Sequence, residues 1–240
     1  MSRMAIEVKD LFISYKTMNR VSIKKLRTSL NQRDVKVFGA INGISLEVKQ
    51  GEIVGLIGRN GSGKTTLLRA MAGVFAPNSG SIDTFGNTIS LLSIGVGFQN
   101  KLSGRENIFL SGLLLGFSEA KIREKLDEII EFSELGDFID MPVQTYSSGM
   151  YSKLAFSITA IMEPDIMLVD EVLSVGDAKF KKKSYNKMLE LIADNTRTVV
   201  IVSHSADILR KLCSRAIWIN KGKIVKQGDV NEVVSAYENQ

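Results

Sequence analysis

The chain has little of what would mark it for the exterior or for the lipid bilayer. It holds one cysteine among 240 residues, Cys213, so an internal disulfide framework is excluded and a reducing compartment fits. Cys213 lies in an amphipathic stretch and reads as core, not as a nucleophile. No apolar run reaches the roughly 18 residues that a membrane span needs. The longest candidates, ISLLSIGVGF and IFLSGLLLGF, are broken by Gly and Ser. The opening MSRMAIEVKD alternates as a strand does and does not resemble a signal peptide. With three prolines, no repeat and no low-complexity tract, there is no linker to divide the chain.

What is present suits one large domain, or a core with an inserted subdomain. Apolar residues make up 44%, ample for a core, and net charge is +5. The basic excess is local. Residues 16–36 carry seven Lys/Arg against one acid, and KFKKKSYNK at 179–187 forms a second cluster. Such runs read first as solvated faces, and second as contacts for anionic headgroups or an acidic partner. No aromatics are interleaved for base stacking, so nucleic acid is not expected as a partner.

Strand and helix patterns alternate. AIEVKDL and NGISLEV have the period of strands, and EIVGLIG is a continuous apolar run suited to a strand buried on both faces. KTTLLRAMAGV reads as a helix stopped near Gly73, and TISLLSIGVGF as a buried strand. Residues near 101–163 turn mostly helical. There SEAKIREKLDEIIEF places Ile122, Leu126, Ile129 and Ile130 on one face behind a Ser118 N-cap. KLAFSITAIM is a more buried helix ending near Pro164. Strands return at DIMLVDE and TVVIVSH, each followed by helical sequence. RAIWINKGKIVKQGDV predicts a hairpin turning at 220–222, and VNEVVSAYE closes the chain.

Between a buried strand and a helix stands GRNGSGKTT: Gly58, Arg59, Asn60, Gly61, Ser62, Gly63, Lys64, Thr65 and Thr66. It fits the phosphate-loop pattern G-x-x-x-x-G-K-[ST]. Glycines let backbone N–H groups close around phosphate oxygens, and the helix N-terminus adds partial positive charge. Lys64 brings a full charge to the β- and γ-phosphates, and the Thr65 hydroxyl suits Mg²⁺. DIMLVDE ends in Asp170 and Glu171. The first acid can hold Mg²⁺ through water; the second can orient or deprotonate a water attacking the γ-phosphate. His204, the chain's one histidine, follows the apolar strand TVVIVS and could contact the γ-phosphate.

At this point the residues resemble the nucleotide-binding subunit of an ABC transporter, along essentially the whole chain. The matches run in order: Gln99 in VGFQNKLSG, YSSGM at 146–150, Asp170–Glu171, SVGD at 174–177, and His204. Tyr15 matches the aromatic that stacks on adenine. The usual signature is LSGGQ. Here Tyr146, Ser148 and Met150 depart from it, while Ser147 and Gly149 remain. SVGD replaces the usual SALD. YSSGMYSKLAFS, VDEVLSVGDAKFKKK, GRENIFLSGLLLGFS and EFSELGDFIDMPV together look like the ATP-binding subunits that export lipid-linked polysaccharides: O-antigen, teichoic acid and some capsules.

The resemblance implies an α/β fold: a P-loop ABC ATPase core with an N-terminal antiparallel β subdomain and an inserted helical subdomain. It implies one nucleotide-binding domain over 1–240, with the helical part at about 101–163 and a basic insertion at about 16–36. It implies ATP as substrate, with Mg²⁺ held by Thr65, Gln99 and, through water, Asp170. Glu171 and His204 would be catalytic. A homodimer would place Ser147 and Gly149 of one copy against the nucleotide of the other, with Asp177 lining the interface. An integral membrane permease at the cytoplasmic face would be the docking partner, with NKLSGRENIFL as the contact, and a lipid-linked glycan would be the cargo. Some members carry a further carbohydrate-binding domain. Ending at Gln240, this chain is expected to leave glycan selection to the permease or to the lipid-linked end. The alternatives are an exporter ATPase for a lipid or drug and a soluble ABC ATPase without a transport role. DNA-repair members need a coiled coil longer than 101–163, and translation factors join two cassettes.

Overall fold

The computed structural model describes residues 3–18, 35–92, 95, 97–170, 176–193 and 197–240. Two long strands, β1 (Met4–Met18) and β2 (Val35–Lys49), pair antiparallel, and β4 (Ser79–Asp83) lies on the other side of β1. Their inner face carries Ile6, Val8, Leu11, Ile13, Ile41, Ile44, Leu46 and Val48, all buried. The period-2 pattern of AIEVKDL and NGISLEV thus has its physical basis: one face meets the core and the other meets water. The sequence pattern misses β4. Its residues, SGSID, are almost all exposed, and it joins the sheet through backbone pairing to β1.

The second sheet has the order β5-β6-β7-β3-β8-β9, formed by β3 (Ile53–Ile57), β5 (Ile89–Leu92), β6 (Ile166–Val169), β7 (Thr198–Val202), β8 (Arg215–Asn220) and β9 (Lys223–Asp229). Its first five strands run parallel; β9 returns antiparallel from β8. The central strands are buried on both faces, which is why they read as continuous apolar runs. The β8–β9 turn uses Lys221 (φ 48°) and Gly222 (φ 72°), the left-handed pair of a tight hairpin. β5 is shorter than TISLLSIGVGF suggests: Gly97 takes φ 70° and lies in a turn.

Helices α1 (Lys64–Met71), α5 (Ala178–Ala193), α6 (Ala206–Leu212) and α7 (Val230–Glu238) accompany the sheet. Between β5 and β6 the chain builds α2 (Gly104–Leu114), α3 (Glu119–Ser133) and α4 (Ser148–Met162). Ser118 caps α3 by accepting from Lys121 N–H, and Ile122 and Ile129 are fully buried in the core that α3 shares with α2 and α4. α2 starts with a reciprocal capping box, Ser103 with Glu106. NKLSGRENIFL is therefore a turn followed by the first turns of a helix. Phe132 of α3, Phe156 of α4 and Phe180 of α5 pack with ring centroids 5.8–6.2 Å apart. This cluster joins the three-helix unit to the sheet layer. The architecture is the α/β P-loop core with an antiparallel β unit and a helical unit. No helix among the described residues is long and apolar enough to cross a membrane.

Candidate functional site

The site is built at the C-terminal ends of adjacent parallel strands, where open α/β sheets leave a crevice. β3 delivers the chain to Gly58, β6 to Asp170, and β7 to Ser203 and His204. The loop 58–63 then turns into α1. Two of its glycines are required by space. A Cβ on Gly58 would collide with the Ile219 carbonyl, and one on Gly63 (φ 112°) would lie 2.6 Å from the Ala40 carbonyl oxygen. Gly61, between exposed Asn60 and buried Ser62, has open space among the described residues where a Cβ would lie, and its φ of 75° is what favours glycine there. Gly63 caps α1 without a side-chain bond, so the first N–H groups of Lys64, Thr65 and Thr66 stay available for an anion.

Lys64 is only 5% exposed. Its Nζ donates to the carbonyls of Gly58 (2.6 Å) and Arg59 (3.1 Å), which hold the ammonium inside the loop. Burial pulls its pKa below the usual lysine range, and the Asp170 carboxylate opposes that shift. Thr65 Oγ1 lies 3.4 Å from Asp170 Oδ1, a long separation for a hydroxyl–carboxylate bond. The His204 pKa is lowered by partial burial first and by the Lys64 ammonium second, with Asp170 acting the other way. Lys64, Thr65, Asp170 and His204 therefore share one electrostatic neighbourhood.

Two features test whether these residues fit a phosphate ester and Mg²⁺. Ser62 Oγ is the buried side-chain oxygen that finds no hydrogen-bond partner among the described residues, and it sits in the loop. A buried hydroxyl left unpaired is costly, so a ligand oxygen here would satisfy it. Thr65 and Asp170 present a hydroxyl and a carboxylate side by side, the hard oxygen donors Mg²⁺ takes. The residues fit both groups.

Other expected positions fall elsewhere around this centre. Tyr15 is 42% exposed, with its ring edge-on to Phe75 at 6.2 Å. Gln99 is exposed, and its backbone is fixed on both sides by Asn107: its N–H donates to Asn107 Oδ1 (2.7 Å), and Asn107 Nδ2 donates to its carbonyl (3.1 Å). The same amide also reaches the carbonyls of Leu102 and Ser103. Asn107 was missed in the sequence pattern. The available signal was a lone amide in the apolar stretch NIFL, where a polar side chain must find internal partners.

A second group gathers at α4 and α5. Ser147 caps α4, its Oγ accepting from Met150 N–H at 3.2 Å. Gly149 has room for a Cβ, its nearest neighbours being Ser147 Oγ at 3.8 Å and Gly176 Cα at 4.0 Å. Packing among the described residues therefore does not demand a glycine there. Asp177 accepts from Phe180 N–H (2.9 Å) at the start of α5 and pairs with Lys153 Nζ at 2.7 Å. These bonds bring its carboxyl down to about 2. Its carboxylate is engaged within its own chain. Glu171, residues 174–175 of SVGD, and residues 19–34 of the basic stretch lie outside the described residues.

Comparison with known proteins gives this geometry a context. A family model described as ABC transporter matches residues 41–174. The O-antigen export system ATP-binding protein of Myxococcus xanthus is 44% identical over 223 residues, 93% of this chain and 51% of that protein. The teichoic acids export ATP-binding protein of Lactococcus lactis is 47% identical over 208 residues, 87% and 44% respectively. An O-antigen export system ATP-binding protein of Klebsiella pneumoniae is 43% identical over 199 residues, 83% and 80%. The chain thus spans about half the length of the first two relatives and most of the third. Among solved structures, an ATP-binding subunit of an ABC transporter matches with TM-score 0.71 at 20% identity, covering 98% of this chain and 93% of that one. An ATP-binding cassette in a dimeric post-hydrolysis state with ADP and Pi matches with TM-score 0.69 at 20% identity, covering 94% and 98%. Both share its fold.

Proposed function

Because the chain belongs to the ABC transporter family, we propose that it binds and hydrolyses ATP to drive export of a lipid-linked polysaccharide across the cytoplasmic membrane. The observation that carries the cargo class is its 42–47% identity to proteins named for O-antigen and teichoic acid export. The cluster of Lys64, Thr65, Asp170 and His204 supports the ATPase chemistry. In this reading residues 1–240 are one nucleotide-binding unit with a helical part at about 101–163. The unit works as a homodimer, docked peripherally on an integral permease at the cytoplasmic face.

The chemistry follows from the placement. Backbone N–H groups of 58–66 and the Lys64 ammonium bind the β- and γ-phosphates of ATP. Ser62 Oγ gains a partner there. Thr65, Asp170 and Gln99 would hold Mg²⁺, which when bound neutralises phosphate charge. Glu171, one residue past Asp170, orients a water and takes its proton as the oxygen attacks the γ-phosphorus. The bond to the β–γ bridging oxygen breaks, leaving ADP and phosphate. His204, its pKa lowered by partial burial and by the Lys64 ammonium, can donate one hydrogen bond to the γ-phosphate. Ser147 and Gly149 of the second copy close the site from outside. The γ-phosphate then joins two like subunits, and its loss releases them.

Depleting the protein and measuring lipid-linked glycans on each side of the membrane tests this reading. A glycan should accumulate inside and vanish from the surface. An unchanged glycan profile would sink the cargo assignment and leave the ATPase chemistry standing.

A further inference from the structure

The mouth of the phosphate loop carries a second aromatic ring that no motif singles out. In the β1–β2 ladder Ile13 lies opposite Ile41, but Tyr15 lies opposite Phe38. Regular pairing would have set Gly39 against Tyr15. The register shifts between Ile13 and Ser14 because β2 holds one extra residue there, Ala40. Such a bulge re-aims the side chains beyond it. Here it sets Phe38, and not a glycine, opposite Tyr15 in the ladder. Alternation along β1 puts Tyr15 on the face that Ile13 turns into the core, and cross-strand partners share a face, so Phe38 belongs to the same side. Yet Phe38 is 57% exposed and Tyr15 is 42% exposed. Among the described residues the core-facing side of the sheet therefore continues past the core as an exposed ledge, with Phe75 bracing Tyr15 from one edge.

This ledge is tied to the phosphate loop. The bulge residue itself forms the seat, since the Ala40 carbonyl lies where a Cβ on Gly63 would be. Asn42 N–H donates to the Gly222 carbonyl (2.8 Å), and Gly222 N–H donates to the Ser62 carbonyl (2.8 Å). Phe38 stands two residues from that seat, about 7 Å along the strand. A ligand held by its phosphates in the loop and extended along β2 would bring a planar group onto the rings.

We infer that Phe38, set beside Tyr15 by the Ala40 bulge, is a second base-stacking residue that contacts the purine of the bound nucleotide. The inference rests on the nucleotide-binding reading above. Stacking recognises ring area through the π-face, so Phe38 adds affinity for a nucleotide and none for a bare polyphosphate.

The test is calorimetric titration of the whole chain with Mg-ATP and, separately, with magnesium tripolyphosphate, which has no base. Phe38→Ala should bind ATP about tenfold more weakly, the lower part of the range for loss of one base–aromatic stack. Tripolyphosphate affinity should be unchanged, and Phe38→Tyr should restore ATP binding. An equal loss for both ligands would overturn the inference, because Phe38 would then act on the loop. So would unchanged binding of both with a lowered unfolding midpoint, which would make the ring a packing element. If the unaltered chain bound neither ligand, the nucleotide reading would fail and this inference with it.

Discussion

Lys64→Ala should lower ATP hydrolysis by about 10²–10³-fold, the scale for removing one preorganised charge donor from a phosphoryl-transfer site. The size of the effect follows from burial. The ammonium is nearly buried in the loop and held there by the Gly58 and Arg59 carbonyls, so truncation removes a charge that is fixed in place. The depressed pKa shows that the protein bears a desolvation cost to keep the charge there, and a bound phosphate would offset it. Truncation also leaves two carbonyls short of a donor, so a stability measurement must accompany the assay. Phosphate release by the purified variant, with a thermal melt beside it, checks the prediction. Near-normal turnover in a folded variant would remove Lys64 from the chemistry.

Glu171→Gln should lower hydrolysis by about 10²–10⁴-fold, the range for losing a general base, while ATP binding is kept. The amide can still accept a hydrogen bond from water but cannot take its proton. ATP is then bound and not spent, so the paired form should accumulate. Single-turnover hydrolysis and sedimentation with Mg-ATP check the two halves. A variant hydrolysing at the parent rate would put the base elsewhere.

The sheet was largely legible because each strand's burial leaves its own period: alternation in β1 and β2, continuous apolar runs in β3, β6 and β7. β4 left no trace because it buries almost nothing and depends on backbone bonds, which any residue supplies. The phosphate loop was legible because its glycines answer local demands; those at 58 and 63 have no room for a Cβ. Asn107 and Phe38 were not. Asn107 acts through four bonds to backbone atoms at 99–103, and Phe38 through a bulge that changes which residue faces Tyr15. A lone amide in an apolar run signals that Asn107 has internal partners, but which atoms it holds, and which residue faces Tyr15, are set by register and packing that composition and spacing do not encode.

The measurement that meets the central claim most directly is ATP-driven movement of lipid-linked glycan into inside-out membrane vesicles carrying this chain and its permease. Transport should need hydrolysable ATP and stop with Lys64→Ala. Glycan movement continuing at the same rate without ATP, or with the Lys64→Ala chain alone, would contradict it.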